Sequence, residues 1–458
     1  MRTFMTKKTV NQSLQFVSLL VVFSLSGCAK SGSKIADQPK IPDPDAIFFK
    51  TQRPNIVIIL ADDVGYDAIA VNGNRTFETP NIDAMAKGGM RFTHVYSSPL
   101  CSPSRTAFIS GKYNFRNYFT WGSFPETEKS IGNLAQEAGY RTYAAGKWSF
   151  DGGDATARRM GFDDYSLWDP FKADPPRSHY KDPLLYKNGN YISTTETKGQ
   201  YGDDIFTADV LDFIHQNKSN PFFVFFPISL CHFPYSPTPE DAEYRNWDSK
   251  QSTADVKYFP SMMKYMDKKI GEIIDSLKQW NLYNNTIVMF AGDNGTPRKI
   301  WYDFNGKMVE GGKSSTTHHG TRVPLMVTWP NGIKAGSVNH NLVAFQDFFS
   351  TVSEIVGKNP DASYGTIDGI SFAKQLIDSK NAIPREYVFN HYVPYSNNGN
   401  DKLRRWINDT TYKLYDQVDR FYNISLDPEE VRPIKKSERT AGEKQLVDRF
   451  QKIMDQLK

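Results

Sequence analysis

The sequence predicts an α/β sandwich with a large, mainly parallel central sheet flanked by helices, followed by a smaller antiparallel sheet and a terminal helix. Three observations carry that prediction. Apolar runs of strand length at 55–60, 142–145, 222–228 and 286–290 each stop abruptly at polar residues. Such runs suit strands buried on both faces of a parallel sheet. Helical patterns near 130–138, 204–217 and 257–280, with apolar residues at three- and four-residue steps, alternate with them, as βα units require. After about residue 384 the pattern changes to short aromatic-rich runs at 386–392, 403–407, 411–415 and 421–424, broken by Asn, Asp and Gly, which reads as an antiparallel sheet.

Taken in order, the chain opens with Arg2, Lys7 and Lys8, an apolar stretch over 14–25, and Leu25-Ser26-Gly27-Cys28. A basic start, a short apolar core and small residues before a cut site make a secretory signal. It falls short of the roughly 20 apolar residues that span a bilayer. The pattern resembles a bacterial lipobox, which implies lipidation of Cys28 after removal of residues 1–27; a plain signal peptide with an incidental cysteine is the alternative. Residues 28–50 read as a tether, with order expected from Pro54. A main domain over 51–383 and a C-terminal antiparallel subdomain over 384–458, closing with a helix near 440–457, complete the division.

With 39% apolar and 14% aromatic residues in 458, the chain has enough material for a sizeable core, and its mixed composition excludes disorder, collagen and coiled coil. The 55 Lys+Arg against 51 Asp+Glu give +4; removing 1–27 deletes three positive charges and no negative one, leaving 52 against 51, or +1. That balance gives no case for nucleic-acid binding. Beyond Cys28 only Cys101 and Cys231 remain, too few for a disulfide framework, although one bond between them stays open.

The strand ends carry the candidate chemistry. Asp62-Asp63 follows the first run and Asp293-Asn294 follows another. Singly these are turn and capping residues; together, three carboxylates and an amide oxygen make a hard oxygen site that suits Ca²⁺ or Mg²⁺. In Leu100-Cys101-Ser102-Pro103-Ser104-Arg105 a thiol opens a predicted helix with an arginine one turn on, which suits a nucleophile or an anion site. Lys147 in Gly-Lys-Trp, His232 in His-Phe-Pro-Tyr, and Lys313, nine residues before Arg322-Val-Pro, sit beyond other predicted strands or in loops.

The C-x-P-S-R segment resembles the signature of the formylglycine-dependent sulfatases, members of the alkaline phosphatase superfamily, and the resemblance runs from about Pro54 through Tyr412-Lys413-Leu414 to Asp427-Pro428-Glu429. It implies an alkaline-phosphatase-like sandwich with a sulfatase catalytic domain over 51–383. It also implies oxidation of Cys101 to formylglycine by a dedicated maturation enzyme. Asp62, Asp63, Asp293 and Asn294 would hold a divalent cation, usually Ca²⁺, with Mg²⁺ also compatible. Arg105 would help ionise a hydroxyl of the hydrated formylglycine, Lys147 and Lys313 would contact the sulfuryl oxygens, and His232 would serve the leaving group. The implied reaction is hydrolysis of sulfate esters, most often on sulfated polysaccharide fragments.

Two departures stand out. Many relatives have histidine after Gly-Lys-Trp, where this chain has Ser149, and the usual Glu-Gly-Gly is His318-His319-Gly320. Serine is no base near neutral pH without help. One of His318 and His319 is therefore expected either to enter the site, as base or substrate contact, or to sit on a solvated loop. Trp168, Arg177 and His179, with His391, Arg404 and Arg405 of the C-terminal sheet, are candidates for holding a sugar ring and a neighbouring anionic group. Because of Ser149, a lipid-anchored protein that binds sulfated glycan without turnover stays open beside the enzyme, as does a phosphonate or phosphate ester hydrolase of the same superfamily. The segment after Cys28, Ala-Lys-Ser-Gly-Ser-Lys, lacks an acidic run similar to a surface-export signal, so a cell-envelope location on the periplasmic face is expected.

Overall fold

A computed structural model describes residues 44–171, 178–250, 255–395, 402–416 and 420–457. In chain order the strands are β1 (Asn55–Ala61), β2 (Met90–Tyr96), β3 (Arg141–Lys147), β4 (Asp164–Trp168), β5 (Leu185–Lys187), β6 (Asn190–Ile192), β7 (Phe222–Phe226) and β8 (Thr286–Gly292). They continue with β9 (Trp301–Phe304), β10 (Lys307–Glu310), β11 (Arg322–Thr328), β12 (Ser337–Ala344), β13 (Val388–Tyr392), β14 (Arg404–Asn408), β15 (Tyr412–Tyr415) and β16 (Phe421–Asn423).

Ten strands form one sheet in the order β12-β2-β11-β8-β1-β7-β3-β4-β5-β6. The central neighbours β8, β1, β7, β3 and β4 pair in parallel, so their carboxyl ends share one edge. Every residue of β1, β7 and β8 is buried, which explains their unbroken apolar sequences. Helix Phe259–Gln279 covers one face, contributing Met262, Met266, Ile270 and Ile273 to a core shared with Val57, Val224 and Phe290. Helices Cys101–Ser110 and Asp347–Val356 cover the other; there Phe108 and Phe348 pack at 4.6 Å between centroids, in a core with Ile58 and Phe225.

Strands β13 to β16 form a separate four-stranded antiparallel sheet. Helix Ala441–Gln456 packs on it through Phe450 and Met454, which meet Ile407, Leu414 and Phe421.

One expectation fails at the N-terminal side. Helix Pro44–Gln52 occupies the end of the expected tether, so order begins before Pro54. The cause lies in Ile47-Phe48-Phe49: Phe49 is buried and stacks on Trp329 at 5.6 Å, with Phe48 against the same indole. Residues 1–43, including Cys28 and the expected signal, lie outside the described residues, as does Arg177. Both Cys101 and Cys231 are free thiols, which closes the question of a bond between them.

Candidate active site

The parallel sheet brings most of the predicted residues together because they follow the carboxyl ends of its strands or lie at the start of an adjoining helix, whereas Lys313 comes from the loop after β10. The ends of β1 and β8 are laced to each other: Asp63 N–H donates to Asp293 Oδ1 at 3.0 Å, and Asp293 N–H to the Ala61 carbonyl at 2.9 Å. Asp63 takes a left-handed backbone conformation, φ +62°, which Asp tolerates better than most side chains. Cys101 is the first residue of a helix buried throughout its length.

Three buried carboxylates meet three cations. Lys147 Nζ lies 2.5 Å from Asp62 Oδ2, Lys313 Nζ 2.5 Å from Asp63 Oδ2, and the Arg105 guanidinium 2.9 Å from Asp293 Oδ2. Arg105 also donates to the Lys147 carbonyl at 2.8 Å, tying the end of β3 to that of β8. Lys147 Nζ is 3.6 Å from Cys101 Sγ, and the thiol shares a 4.8 Å cluster with oxygens of Asp62 and Asp293.

Burial opposes charge throughout, and the partners decide the outcome. Burial would raise the Asp62 carboxyl, but Lys147 above all, with Arg105 and Lys313, holds it below the usual carboxylate range. For Asp293, burial and the charge of Asp62 outweigh Arg105 and push it up to about 7. Burial likewise raises Asp63 despite Lys313. A divalent cation would relieve this crowding. The donor set fits one: Asp62 Oδ1 and Asn294 Oδ1 are buried without a hydrogen-bond partner among the described residues, while Asn294 Nδ2 is used on Asp63 Oδ1 at 2.8 Å. Orphaned acceptor oxygens beside carboxylates are what a hard cation requires.

A ring nitrogen of His232 falls within 4.8 Å of oxygens of Asp62 and Asp63. Burial, then the charge of Lys147, hold this imidazole well below its ordinary pKa. His179 is buried beside it, with ring centroids 4.0 Å from Trp168 and 6.0 Å from His232, and Trp168 lies 6.0 Å from Lys147 Nζ. Ser149 is also buried, at φ +60°, and its Oγ has no hydrogen-bond partner among the described residues.

The remaining candidates line a neighbouring cavity or sit on the C-terminal sheet. His318 and His319 line a cavity of about 610 Å³ with Asp67, Arg322 and Glu429, and none of Cys101, Lys147, His232 or Lys313 lines it. His319 Nδ1 pairs with Asp67 Oδ2 at 2.5 Å; burial disfavours its charge, but Asp67 raises its pKa on balance. The ring of His319 is thus held by Asp67, while its main chain packs against Gly295 and Gly312, the neighbours of Asn294 and Lys313. His391 packs on Phe115 at 5.7 Å, with burial and Arg405 holding its pKa down to about 4; Arg404 opens β14 and is exposed. Arg405 pairs with Asp416 at 2.7 Å.

Sequence reading missed Tyr180 and Asp203, which fasten the turn carrying His232. Tyr180 Oη reaches the His232 carbonyl at 2.7 Å, and Asp203 Oδ1 the Ser229 N–H at 2.9 Å. Only the adjacency of Tyr180 to His179 pointed toward this segment.

A family model described as Sulfatase matches residues 54–358, and one described as N-sulphoglucosamine sulphohydrolase, C-terminal, matches 313–458. N-acetylgalactosamine-6-sulfatase of Mus musculus is 30% identical over 363 residues, covering 71% of this chain and 66% of its own length. The chain thus spans about two thirds of that relative. N-acetylglucosamine-6-O-sulfatase of Bacteroides thetaiotaomicron is 23% identical, covering 89% of this chain and 88% of its own. Among solved structures, Ps i-CgsB superposes with a TM-score of 0.71 at 26% identity, covering 88% of this chain and 92% of its own. With a family model spanning the strands of the ten-stranded sheet, the chain belongs to the sulfatase family of the alkaline phosphatase superfamily.

Proposed function

We propose that the protein hydrolyses O-sulfate esters of a sulfated glycan or oligosaccharide, releasing the alcohol and sulfate. The observation that carries this reading is Cys101 Sγ at the head of a buried helix, 3.6 Å from Lys147 Nζ and clustered with Asp62 and Asp293. The relatives' names, an N-acetylgalactosamine-6-sulfatase and an N-acetylglucosamine-6-O-sulfatase, support a sulfated sugar as the substrate class.

Burial pushes the Cys101 thiol up in spite of Lys147, so the unmodified side chain stays protonated near neutral pH and is a poor nucleophile. That favours its conversion to formylglycine by a formylglycine-generating maturation enzyme. Asp62, Asp63, Asp293 and Asn294 are the residues to hold Ca²⁺, with Mg²⁺ the alternative. In place, the two groups supply a hydroxyl nucleophile toward sulfur and positive charge for the sulfuryl oxygens.

The chain's own residues do the rest. Arg105 bonds Asp293 and the Lys147 carbonyl, linking the ends of β8 and β3 across the intervening strands. Lys147, which is buried, and Lys313, which is partly exposed, carry positive charge to the anionic sulfuryl group, and charge acts more strongly at a buried position than in water. His232 serves the departing sugar oxygen. Burial and Lys147 keep its ring neutral in the free protein, and an arriving sulfate monoanion favours the protonated form, so a proton enters with substrate.

A second reading, binding of sulfated glycan without turnover, rests on Ser149 alone. The lipid anchor at Cys28 and a periplasmic-facing place in the cell envelope belong to the same proposal and rest on residues 1–34. Defined sulfated mono- and disaccharides, with matched phosphate esters, test the activity. Sulfate release by the wild type and not by Cys101→Ala supports hydrolysis. Binding without release supports the second reading, and faster phosphate release overturns both.

A further inference from the structure

We infer that Tyr180, with Asp203 beside it, is a positioning clamp that sets the His232 imidazole against the leaving group. The inference rests on the role given to His232 above.

His232 ends a four-residue turn, Ser229-Leu230-Cys231-His232, in which His232 N–H donates to the Ser229 carbonyl at 3.0 Å. The middle of the turn is zipped to β1: Asp62 N–H donates to the Leu230 carbonyl at 3.1 Å, and Cys231 N–H to the Asp62 carbonyl at 2.8 Å. Those bonds fix the turn against the carboxylate cluster but leave its two ends to other groups. The start is held by Asp203 Oδ1, which accepts Ser229 N–H at 2.9 Å. Tyr180 Oη shares its proton between the Ser229 carbonyl at 3.0 Å and the His232 carbonyl at 2.7 Å, so one hydroxyl spans both ends.

The clamp is itself rigid. Tyr180 is buried, its ring stacks on Tyr201 at 5.4 Å, and its carbonyl accepts Gly202 N–H at 2.8 Å, joining it to the segment that carries Asp203. Burial raises the phenol well above its ordinary pKa, so it remains a donor. Burial also pushes the Asp203 carboxyl up to about 8, which keeps extra negative charge away from Asp62 near neutral pH.

The ring orientation follows from the turn. His232 Nδ1 lies 2.7 Å from the Phe233 carbonyl, and a carbonyl only accepts, so Nδ1 bears hydrogen and the other nitrogen is left for the reaction. General acid catalysis requires that nitrogen within hydrogen-bond reach of the departing oxygen, and a misplacement of about 1 Å can cost about a hundredfold. Tyr180→Phe keeps the ring and its stacking and removes only the donor.

The test compares Tyr180→Phe with wild type on 4-nitrophenyl sulfate, whose leaving group needs little protonation, and 4-methoxyphenyl sulfate, whose leaving group needs more. The clamp predicts that the ratio of kcat/KM values shifts about tenfold against the methoxy substrate, a fraction of the full general-acid contribution. It also predicts that Tyr180→Phe shifts the ratio no further in a His232→Ala background. Equal losses on both substrates, or an unaltered ratio, refute it. If His232→Ala leaves the ratio unchanged, the role of His232 fails and the clamp falls with it. A ratio moved by His232→Ala and not by Tyr180→Phe refutes the clamp alone. Independently of turnover, ¹⁵N signals of the His232 ring should change from the Nδ1–H tautomer toward a mixture in Tyr180→Phe; an unchanged tautomer refutes the clamp.

Discussion

Replacing Arg105 by alanine isolates the electrostatics of the site. The guanidinium is almost wholly buried and stands 2.9 Å from Asp293 Oδ2 and 3.7 Å from Asp62 Oδ2. Its removal strands an ionised carboxylate in the interior, which costs about 3–5 kcal/mol when the charge persists. Asp293 escapes part of that cost by taking up a proton. Its folded-state value in the metal-free wild type is already about 7, against an unfolded value near 3.8, and losing Arg105 raises it further. Below pH 7 both proteins carry protonated Asp293 when folded, so the destabilisation is flat and reflects the cavity and lost hydrogen bonds. Above pH 7 the wild type ionises Asp293 beside Arg105 while the variant does not. The folded variant then binds one proton more, and ΔΔG grows by about 1.4 kcal/mol per pH unit toward that ceiling. Denaturant unfolding of both proteins in chelator, from pH 5 to 9, reads this directly. A ΔΔG independent of pH, or one that shrinks as pH rises, rules out a protonated Asp293 in the variant.

Three further predictions follow from the same contacts. Ca²⁺ should raise the unfolding temperature, and its affinity by calorimetry should weaken about tenfold per unit as pH falls below 7, because each ion must displace the Asp293 proton; a pH-independent affinity would contradict the site. Phe49→Ala should cost about 3–5 kcal/mol by denaturant unfolding while leaving kcat/KM of the folded enzyme intact, since Phe49 is fully buried against Trp329. Lys147→Ala should lower kcat about 10²–10³-fold with a smaller change in KM, as expected of a charge that acts most on the transition state; a pure KM effect would assign it to substrate binding.

The cluster of Asp62, Asp63, Cys101, Lys147, Asp293 and Asn294 was legible because parallel strands carry their final residues to one edge, so position after an apolar run stands in for proximity. The central strands and the long helix were legible for the same reason: their burial is complete or strictly periodic. Partly exposed strands were not. Strand β12, at the sheet edge, is exposed or half-buried over its first five residues and buried only over its last three, while β11, though buried, contains Pro324, which reads as a breaker but sits at a register shift where its missing N–H disturbs little. Helix Pro44–Gln52 hid behind Pro42-Asp43-Pro44-Asp45, which reads as linker, yet Pro44 is the first helical residue, where proline fits well. Tyr180 and Asp203 left no local signal beyond the adjacency of Tyr180 to His179: their partners lie 26 to 52 residues away, and only the fold joins them. His318 and His319 show the converse, a departure visible in sequence whose destination, beside Asp67 and Arg322, depends on the fold.

The most direct test of the central claim is the mass of the peptide containing residue 101, from protein made in its native host or with a formylglycine-generating enzyme. Hydrolysis through this site predicts an aldehyde in place of the thiol at position 101, present in the active fraction. An unmodified cysteine in protein that still releases sulfate would contradict it.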